Sequence, residues 1–167
     1  MPAVLVRRPS PRLAEGELTH LSRQPVDADL ALQQWKAYVQ VWRDAGWTVH
    51  EVAPADEHPD GVFVEDAVVL FGDTAVLTSP GAESRRGEVE SVEAALTVLD
   101  LDVRRIRRPG TLDGGDVLKV GDVVYVGRSL RTNPEGIRQL AAIVEPIGRR
   151  VVSVPLEKVP TASTSGS

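Results

Sequence analysis

Residues 117–126 read Val-Leu-Lys-Val-Gly-Asp-Val-Val-Tyr-Val, two short apolar runs joined by a Gly-Asp pair. Residues 68–77 read Val-Val-Leu-Phe-Gly-Asp-Thr-Ala-Val-Leu and show the same pattern, with Gly72 lying 49 residues before Gly121. Runs rich in β-branched residues on both sides of a two-residue Gly-Asp turn are typical of a β-hairpin. The sequence therefore predicts two equivalent hairpins, and these decide the fold.

A helix and a short strand follow each predicted hairpin. The helix after the first hairpin starts near Ser84, and the helix after the second has Asn133 as N-cap and Pro134 at its first position. An earlier helix spans about residues 27–45, with Gly46 as its C-cap. The strands that follow these helices are expected at residues 48–52, 103–106 and 151–154. The result is a repeated β-β-α-β unit, which is too small to bury its apolar face without its neighbours.

The composition is that of an ordinary globular chain without a nucleic-acid or membrane partner. The 167 residues are 42% hydrophobic, which is enough for one domain, and their net charge of −5 is mild. The basic run at residues 104–108 is interpreted as a half-exposed strand. The chain shows no signal-peptide pattern, no apolar run of roughly 20 residues and no cysteine. We therefore expect a cytoplasmic protein.

Carboxylates stand beside two of the apolar runs. Residues 59–66 read Pro-Asp-Gly-Val-Phe-Val-Glu-Asp, and residues 109–118 read Pro-Gly-Thr-Leu-Asp-Gly-Gly-Asp-Val-Leu. The Val and Phe content of the first run predicts a buried strand, flanked and interrupted by Asp60, Glu65 and Asp66. Buried carboxylates are costly unless a cation or a hydrogen-bond donor meets them. The two runs therefore predict a pocket that is walled by carboxylates and holds a cation.

An arginine-like molecule is the ligand that suits this pocket. A planar guanidinium presents a fork of N–H donors to carboxylates such as Asp66 and Asp113. A free amino acid also carries an α-carboxylate, for which Arg85 and Arg131, each near a helix start, are candidate partners. Taken singly, each residue has an ordinary alternative, since aspartates beside glycine often form turns and arginines at helix starts often lie on the surface. Their convergence favours the binding site.

Four motifs occur in the order and spacing of a known enzyme family. They are Pro-Asp-Gly-Val-Phe-Val-Glu-Asp at 59–66, Pro-Gly-Ala-Glu-Ser-Arg-Arg at 80–86, Thr-Leu-Asp-Gly-Gly-Asp-Val at 111–117 and Gly-Arg-Ser-Leu-Arg-Thr-Asn at 127–133. Together they closely resemble the dimethylarginine dimethylaminohydrolases of the guanidine-modifying pentein superfamily, over about residues 3–159. The resemblance implies an α/β fold, the pentein propeller of β-β-α-β modules around a polar pocket. Residues 1–159 would supply about three of its five modules, and residues 160–167 would form a disordered tail.

The resemblance implies an enzyme that hydrolyses asymmetric dimethylarginine and monomethylarginine to citrulline and an alkylamine. In that family a cysteine thiolate attacks the guanidinium carbon and a histidine transfers protons, which is nucleophilic catalysis with an acid–base partner. The family requires no metal, and we expect no cofactor. The expected partner is therefore a small-molecule substrate.

The motifs also imply which residues bind the substrate. Asp66 would bind the guanidinium, while Asp60 and Glu65 would contact other polar groups of the substrate. Arg85 and Arg131 would bind the α-carboxylate. These roles are carried over from the family motif by motif.

Two further assignments concern a lid and the catalytic histidine. Leu18 would belong to a flexible lid, and Asp113 would take the place of the acid that orients the histidine. The chain contains no cysteine, and His20, His50 and His58 stand outside the family's catalytic context, where we interpret them as surface or turn residues. The sequence thus predicts a substrate-binding wall without the reacting groups, C-terminally truncated relative to the family and inactive alone.

Three functional interpretations remain open. The first is the N-terminal part of a dimethylargininase. The second is a module that binds arginine or methylarginine without turnover, and the third is a related pentein such as an arginine deiminase or an amidinotransferase. Three modules of a five-module ring would leave apolar faces uncovered, so we also expect marginal stability or self-association.

Overall fold

The structure, a computed structural model, describes residues 2–16, 26–81 and 85–156. Two of the sequence predictions, the lid residue Leu18 and the tail at 160–167, lie outside these ranges. The strands are β1 (Ala3–Val6), β2 (Thr48–Glu51), β3 (Val68–Phe71), β4 (Thr74–Leu77), β5 (Asp102–Arg105), β6 (Val117–Val120), β7 (Val123–Arg128) and β8 (Arg150–Pro155). The helices are α1 (Ala28–Asp44), α2 (Val64–Ala67), α3 (Arg86–Leu96) and α4 (Pro134–Val144).

The strands form three small sheets that repeat one topology. In the sheets β3-β4-β5 and β6-β7-β8, the first two strands form an antiparallel hairpin and the third strand pairs in parallel with the second. Helix α3 connects β4 to β5, and α4 connects β7 to β8. The sheet β1-β2 has the same parallel pair joined by α1, with no hairpin partner for β1 among the described strands. The predicted β-β-α-β repeat is confirmed.

The Gly-Asp pairs form the turns of both hairpins, as predicted. Phe71 pairs with Thr74, so Gly72 and Asp73 are the two turn residues of the first hairpin. Gly72 has φ of 61° and Gly121, at the same place in the second hairpin, has φ of 58°. A left-handed conformation at the first turn residue suits glycine because it has no Cβ to clash with the backbone.

The helix ends follow from local capping. The Asn133 side chain accepts a hydrogen bond from the Gly136 N–H at 2.8 Å, and Asp27 caps α1 in the same way. Gly46, with φ of 79°, ends α1, and the Trp47 N–H returns to the Trp42 carbonyl. These contacts satisfy backbone groups that a helix end leaves without partners.

The core lies between neighbouring units, as the small size of each unit requires. One buried cluster joins the second and third units, and another joins the first unit to the second. The first cluster consists of Val69, Phe71, Val76, Ile106, Leu112, Val124, Val126, Ile137, Leu140 and Val144. The second consists of Val52, Val64, Ala67, Val68, Ala75, Leu77, Val89, Val92 and Leu96. Each sheet therefore depends on the next one for its stability.

The predicted buried strand at residues 59–66 is wrong. Residues 60–62 form turns, α2 covers Val64–Ala67, and the strand begins only at Val68. Pro59 and Gly61 favour the turns, and one helical turn then brings Val64 and Ala67 to the same buried side. Periodicity cannot distinguish a helix from a strand in so short an apolar run, and the run is too short for its length to decide. The strand prediction failed for this reason.

The outer faces carry much exposed apolar surface. Helix α1 buries Val39, but its Leu30 and Tyr38 are about half exposed. Leu118 and Val120 are similarly exposed on β6. Of the basic run at residues 104–108, Arg104 and Arg105 lie in β5, which stands at a sheet edge and is exposed at all four residues, whereas a half-exposed strand was predicted. In the described ranges, no helix combines the length and the apolar character that crossing a membrane requires.

Candidate functional site

The candidate site forms where α2, the start of α3 and the turn before β6 meet. Asp66 lies in α2, Arg85 immediately precedes α3, and Asp113 caps a 3-10 turn at Gly114–Asp116. The Arg85 Nη1 donates to Asp66 Oδ2 at 2.9 Å and lies 3.6 Å from Asp113 Oδ2. One guanidinium therefore bridges the two carboxylates that the sequence analysis selected.

Two glycines allow these carboxylates to approach each other. A Cβ on Gly114 would lie 1.9 Å from the carbonyl oxygen of Glu65, which is far inside van der Waals contact. A Cβ on Gly115 would lie 2.8 Å from Asp66 Oδ1 and 3.1 Å from Asp113 Oδ1. Both acids thus border the same glycine. Gly114 therefore permits close packing of backbone against backbone, and Gly115 permits the close approach of two carboxylates, beyond the value of the pair in the turn.

Glu88 is a site residue that the sequence analysis missed. Its carboxylate accepts hydrogen bonds from Arg85 Nη2 at 3.0 Å and from Arg85 Nε at 3.3 Å, and both side chains are buried. Burial lowers the pKa of Arg85, but the hydrogen bonds and charges of Glu88 and Asp66 outweigh it and raise that pKa above its ordinary value. Arg85 therefore stays a cation. The i, i+3 spacing of Arg85 and Glu88 at a helix start was the available sequence signal.

Asp113 is buried in a mixed electrostatic environment. Its Oδ1 accepts the Gly115 N–H at 2.9 Å, and its Oδ2 lies 3.5 Å from Arg131 Nε. Burial raises the pKa of Asp113, and the charge of Asp66 raises it further. The Gly115 N–H and Arg131 oppose this, and the resulting pKa is about 6. A carboxyl group with such a pKa can exchange protons near neutral pH.

A hydroxyl network holds Arg131 beside Asp113. Asp116 Oδ2 accepts from Ser129 Oγ at 2.7 Å and from Thr132 Oγ1 at 2.6 Å. Thr132 Oγ1 in turn accepts the Asp113 N–H, and Ser129 Oγ accepts the Arg131 N–H. The Arg131 side chain remains 46% exposed, so it can meet a group that arrives from solvent.

Other predicted site residues lie beside this cluster. Glu65 is exposed and lines a groove of about 340 Å³ with Trp35, Tyr38 and Phe63. Asp60 lies against the 3-10 turn that precedes the undescribed residues 17–25, since a Cβ on Gly16 would lie 2.5 Å from Asp60 Oδ1. Neither side chain hydrogen-bonds to Arg85 in the described part of the chain. Their contacts with a substrate stay predictions, as does that of Leu18.

The cluster has the charge of a cation-binding site. Asp66, Glu88 and Asp113 carry three negative charges when all are ionised, against the two positive charges of Arg85 and Arg131. A cationic ligand would balance the excess charge. Among residues 2–16, 26–81 and 85–156, no group of three or more His, Cys, Asp or Glu is placed to hold a metal ion.

Comparison with known proteins relates the chain to one family. The family model described as N,N dimethylarginine dimethylhydrolase, eukaryotic, matches residues 19–160. The N(G),N(G)-dimethylarginine dimethylaminohydrolase of Streptomyces coelicolor is 59% identical over 155 residues, which are 93% of this chain and 60% of that protein. The protein of the same name from Pseudomonas aeruginosa is 40% identical over 158 residues and is covered to 61%. The chain thus spans about 60% of the length of these curated relatives.

Solved structures show the same relationship in three dimensions. A Cys-to-Ser variant of the Pseudomonas aeruginosa enzyme, complexed with citrulline, matches with a TM-score of 0.87 at 40% identity. The match covers 95% of this chain and 62% of that one. The N-terminal domain of ArgZ, a cyanobacterial arginine dihydrolase, matches with a TM-score of 0.75 at 23% identity, covering 92% of this chain and 58% of that one. This second likeness shows the pentein fold alone.

Proposed function

The chain belongs to the dimethylarginine dimethylaminohydrolase family, and on this premise we propose that it provides the substrate-binding part of an enzyme that hydrolyses N-methylated arginines. The reaction would convert asymmetric dimethylarginine or monomethylarginine to citrulline and an alkylamine. The observation that carries the proposal is the pair of neighbouring carboxylates, Asp66 and Asp113, held at the Arg85 guanidinium.

In this proposal Asp66 binds the substrate guanidinium. Its Oδ2 accepts from Arg85, so the Oδ1 that borders Gly115 is the oxygen for the ligand. A guanidinium there would form a charge-assisted hydrogen bond in a largely buried setting, where such bonds are strong. Arg131, half exposed and beside Asp113, is the better placed of the two arginines to receive the α-carboxylate. Arg85 would contribute its positive charge from the buried side.

Asp113 would orient a catalytic histidine in this reaction. A buried carboxyl group with a pKa of about 6 can both accept a hydrogen bond from an imidazole and stabilise its protonated form. The 167 residues contain no cysteine, so the thiolate of the family's covalent route is not among them. The part of these residues in the reaction is therefore to bind the substrate.

Calorimetry with asymmetric dimethylarginine tests the role of Asp66. We expect Asp66→Asn to weaken binding by about 1.5–3 kcal/mol, roughly 10-fold to 150-fold, because the ligand loses a charge-assisted hydrogen bond. Asp122→Asn is the matched control, since this carboxylate side chain is 86% exposed and pairs with Arg149 on the surface. Equal affinities of the Asp66→Asn variant and the unaltered chain would remove Asp66 from the site.

A second candidate function is binding without turnover. The absence of cysteine from the 167 residues favours it, because losing the nucleophile typically removes several orders of magnitude of rate. Citrulline assayed in the calorimetry samples separates the two candidates. Bound ligand without citrulline supports the binding module, whereas citrulline formation supports the hydrolase. A preference for unmethylated arginine would instead favour a related pentein such as an arginine deiminase.

We also propose that the exposed apolar faces lead to self-association. Leu30 and Tyr38 on α1, and Leu118 and Val120 on β6, are about half exposed or more. Apolar surface of this kind marks interaction sites or aggregation-prone faces. Light scattering after size-exclusion chromatography should show dimers or larger species. A monomer that unfolds cooperatively on heating would contradict this proposal.

A further inference from the structure

We propose that Glu88 is a positioning residue of the candidate site, which fixes the Arg85 guanidinium beside Asp66. The inference rests on the proposed function of the cluster, because it concerns how the ligand-binding carboxylate is held. Glu88 itself lies on the far side of Arg85 from Asp66. It acts on a ligand only through Arg85.

The geometry of Arg85 supports this role. Glu88 takes two of the three guanidinium nitrogens, Nε at 3.3 Å and Nη2 at 3.0 Å, and leaves Nη1 for Asp66 at 2.9 Å. A two-point contact fixes both the position and the plane of a guanidinium. By holding one edge of the Arg85 guanidinium, Glu88 therefore sets how the opposite edge faces Asp66.

A second buried arginine lies behind Glu88. Arg7 at the end of β1 is almost completely buried, and its Nη2 donates to the Glu88 carbonyl at 3.2 Å and to Ser91 Oγ at 2.7 Å. Its Nη1 donates to the Gly61 carbonyl at 2.8 Å. Burial lowers the pKa of Arg7, and the charge of Glu88 opposes this shift. Glu88 thus interacts with both buried guanidiniums, with Arg85 through its carboxylate and with Arg7 through its backbone carbonyl and its charge.

Arg7, Glu88, Arg85 and Asp66 therefore follow one another with alternating charge, with Arg7 bound at the backbone carbonyl of Glu88 and Arg85 bound at its carboxylate. Removing the Glu88 charge would leave two buried cations with less compensation, which is unfavourable. Arg85 would then interact more strongly with the remaining acids, Asp66 and Asp113. The groups that face Asp113 are Asp66, Arg85, Arg131 and the Gly115 N–H. The pKa of Asp113 should fall, because Glu88 would no longer offset the positive charge of Arg85, which lies 3.6 Å from Asp113 Oδ2.

Glu88→Gln tests the inference in the 167-residue chain, with Glu90→Gln as the matched control. Both substitutions remove one negative charge from α3, but Glu90 lies on the exposed face of the helix. We expect Glu88→Gln to weaken binding of asymmetric dimethylarginine by about 10-fold or more, on the scale of one charged hydrogen bond, and Glu90→Gln to leave it within about 2-fold. Equal losses in both variants would mean a general effect of helix charge and would overturn the inference.

A measurement on the ligand-free protein separates this inference from the proposed function. In NMR spectra, the Nε–H signal of Arg85 should be protected from solvent exchange in the unaltered chain and lose that protection in Glu88→Gln. The titration midpoint of the Asp113 carboxyl carbon should move to lower pH in the same variant. If both stay unchanged, Glu88 does not position Arg85. If the unaltered chain binds no asymmetric dimethylarginine, the proposed function fails, and these signals still decide the role of Glu88.

Glu88→Asp keeps the test usable if the glutamine variant does not fold. The shorter side chain retains the charge, so it should keep the Asp113 midpoint near that of the unaltered chain while it loosens the two-point contact with Arg85. The expected result is weaker protection of the Arg85 Nε–H and lower affinity than in the unaltered chain, because aspartate holds the guanidinium less firmly. An aspartate variant with the Arg85 protection and the affinity of the unaltered chain would overturn the inference.

Discussion

Asp113 should make the stability of the protein depend on pH in a direction opposite to that of most carboxylates. Its pKa is raised from an ordinary value of 3.8 to about 6 in the folded protein, first by burial and then by the charge of Asp66. The folded state therefore holds the proton more tightly than the unfolded state does. The stabilising contribution is complete below about pH 4 and is lost as the pH rises through about 6.

The size of the effect follows from the shift. A difference of about 2 pKa units at about 1.4 kcal/mol per unit gives a loss on the order of 3 kcal/mol between pH 4 and pH 8. The side chain is only 4% exposed, so solvent screens this interaction little. For a domain with a total stability of about 5–15 kcal/mol, such a loss is readily measured.

The assay is urea unfolding of the unaltered chain and of Asp113→Asn at several pH values from 4 to 8. Asparagine keeps an oxygen that accepts the Gly115 N–H but does not ionise. We expect the free energy of unfolding of the unaltered chain to fall relative to the variant by about 3 kcal/mol across this range. Asp122→Asn, at an exposed site, controls for the loss of one charge. Parallel pH profiles for the unaltered chain and Asp113→Asn would refute the reasoning.

The remaining predictions concern packing, and urea unfolding at a single pH checks both. Gly114→Ala should destabilise the fold by about 3 kcal/mol, because the new Cβ would overlap the Glu65 carbonyl and force the two backbones apart; a change within about 0.5 kcal/mol would show that the contact is not tight. Leu140→Ala should cost about 2–5 kcal/mol because Leu140 is fully buried in the core, whereas Leu130→Ala, at a residue that is 92% exposed, should stay within about 0.5 kcal/mol. Equal effects of the two leucine substitutions would contradict the assigned core.

Several elements could be predicted because their causes are local. The hairpin turns at Gly72 and Gly121 follow from a conformational preference of a single residue. The start of α4 follows from Asn133, whose side chain accepts a hydrogen bond from the Gly136 N–H, three residues further along the chain. The 49-residue repeat then implied shared cores, which the clusters between units confirm.

The candidate site was predictable in its residue types and less so in its arrangement. The sequence selected Asp66, Asp113, Arg85 and Arg131 by charge and motif, and the structure brings these four together. The sequence did not indicate Glu88, since a glutamate near a helix start has the pattern of a surface residue. Whether a charge is buried depends on what packs over it, and no property of the residue itself decides that.

The sequence alone therefore determined the repeated units, their turns and caps, and the family to which the chain belongs. The tertiary structure decided that residues 64–67 form a helical turn and that Arg85 lies among three acids. It also decided that Arg7 meets Gly61 and Glu88, which are 54 and 81 residues away in the chain. Turns and caps arise from interactions within a few residues, which a sequence displays directly. Contacts between distant charges arise only after the units pack against one another, because their burial and pairing are properties of the assembled core.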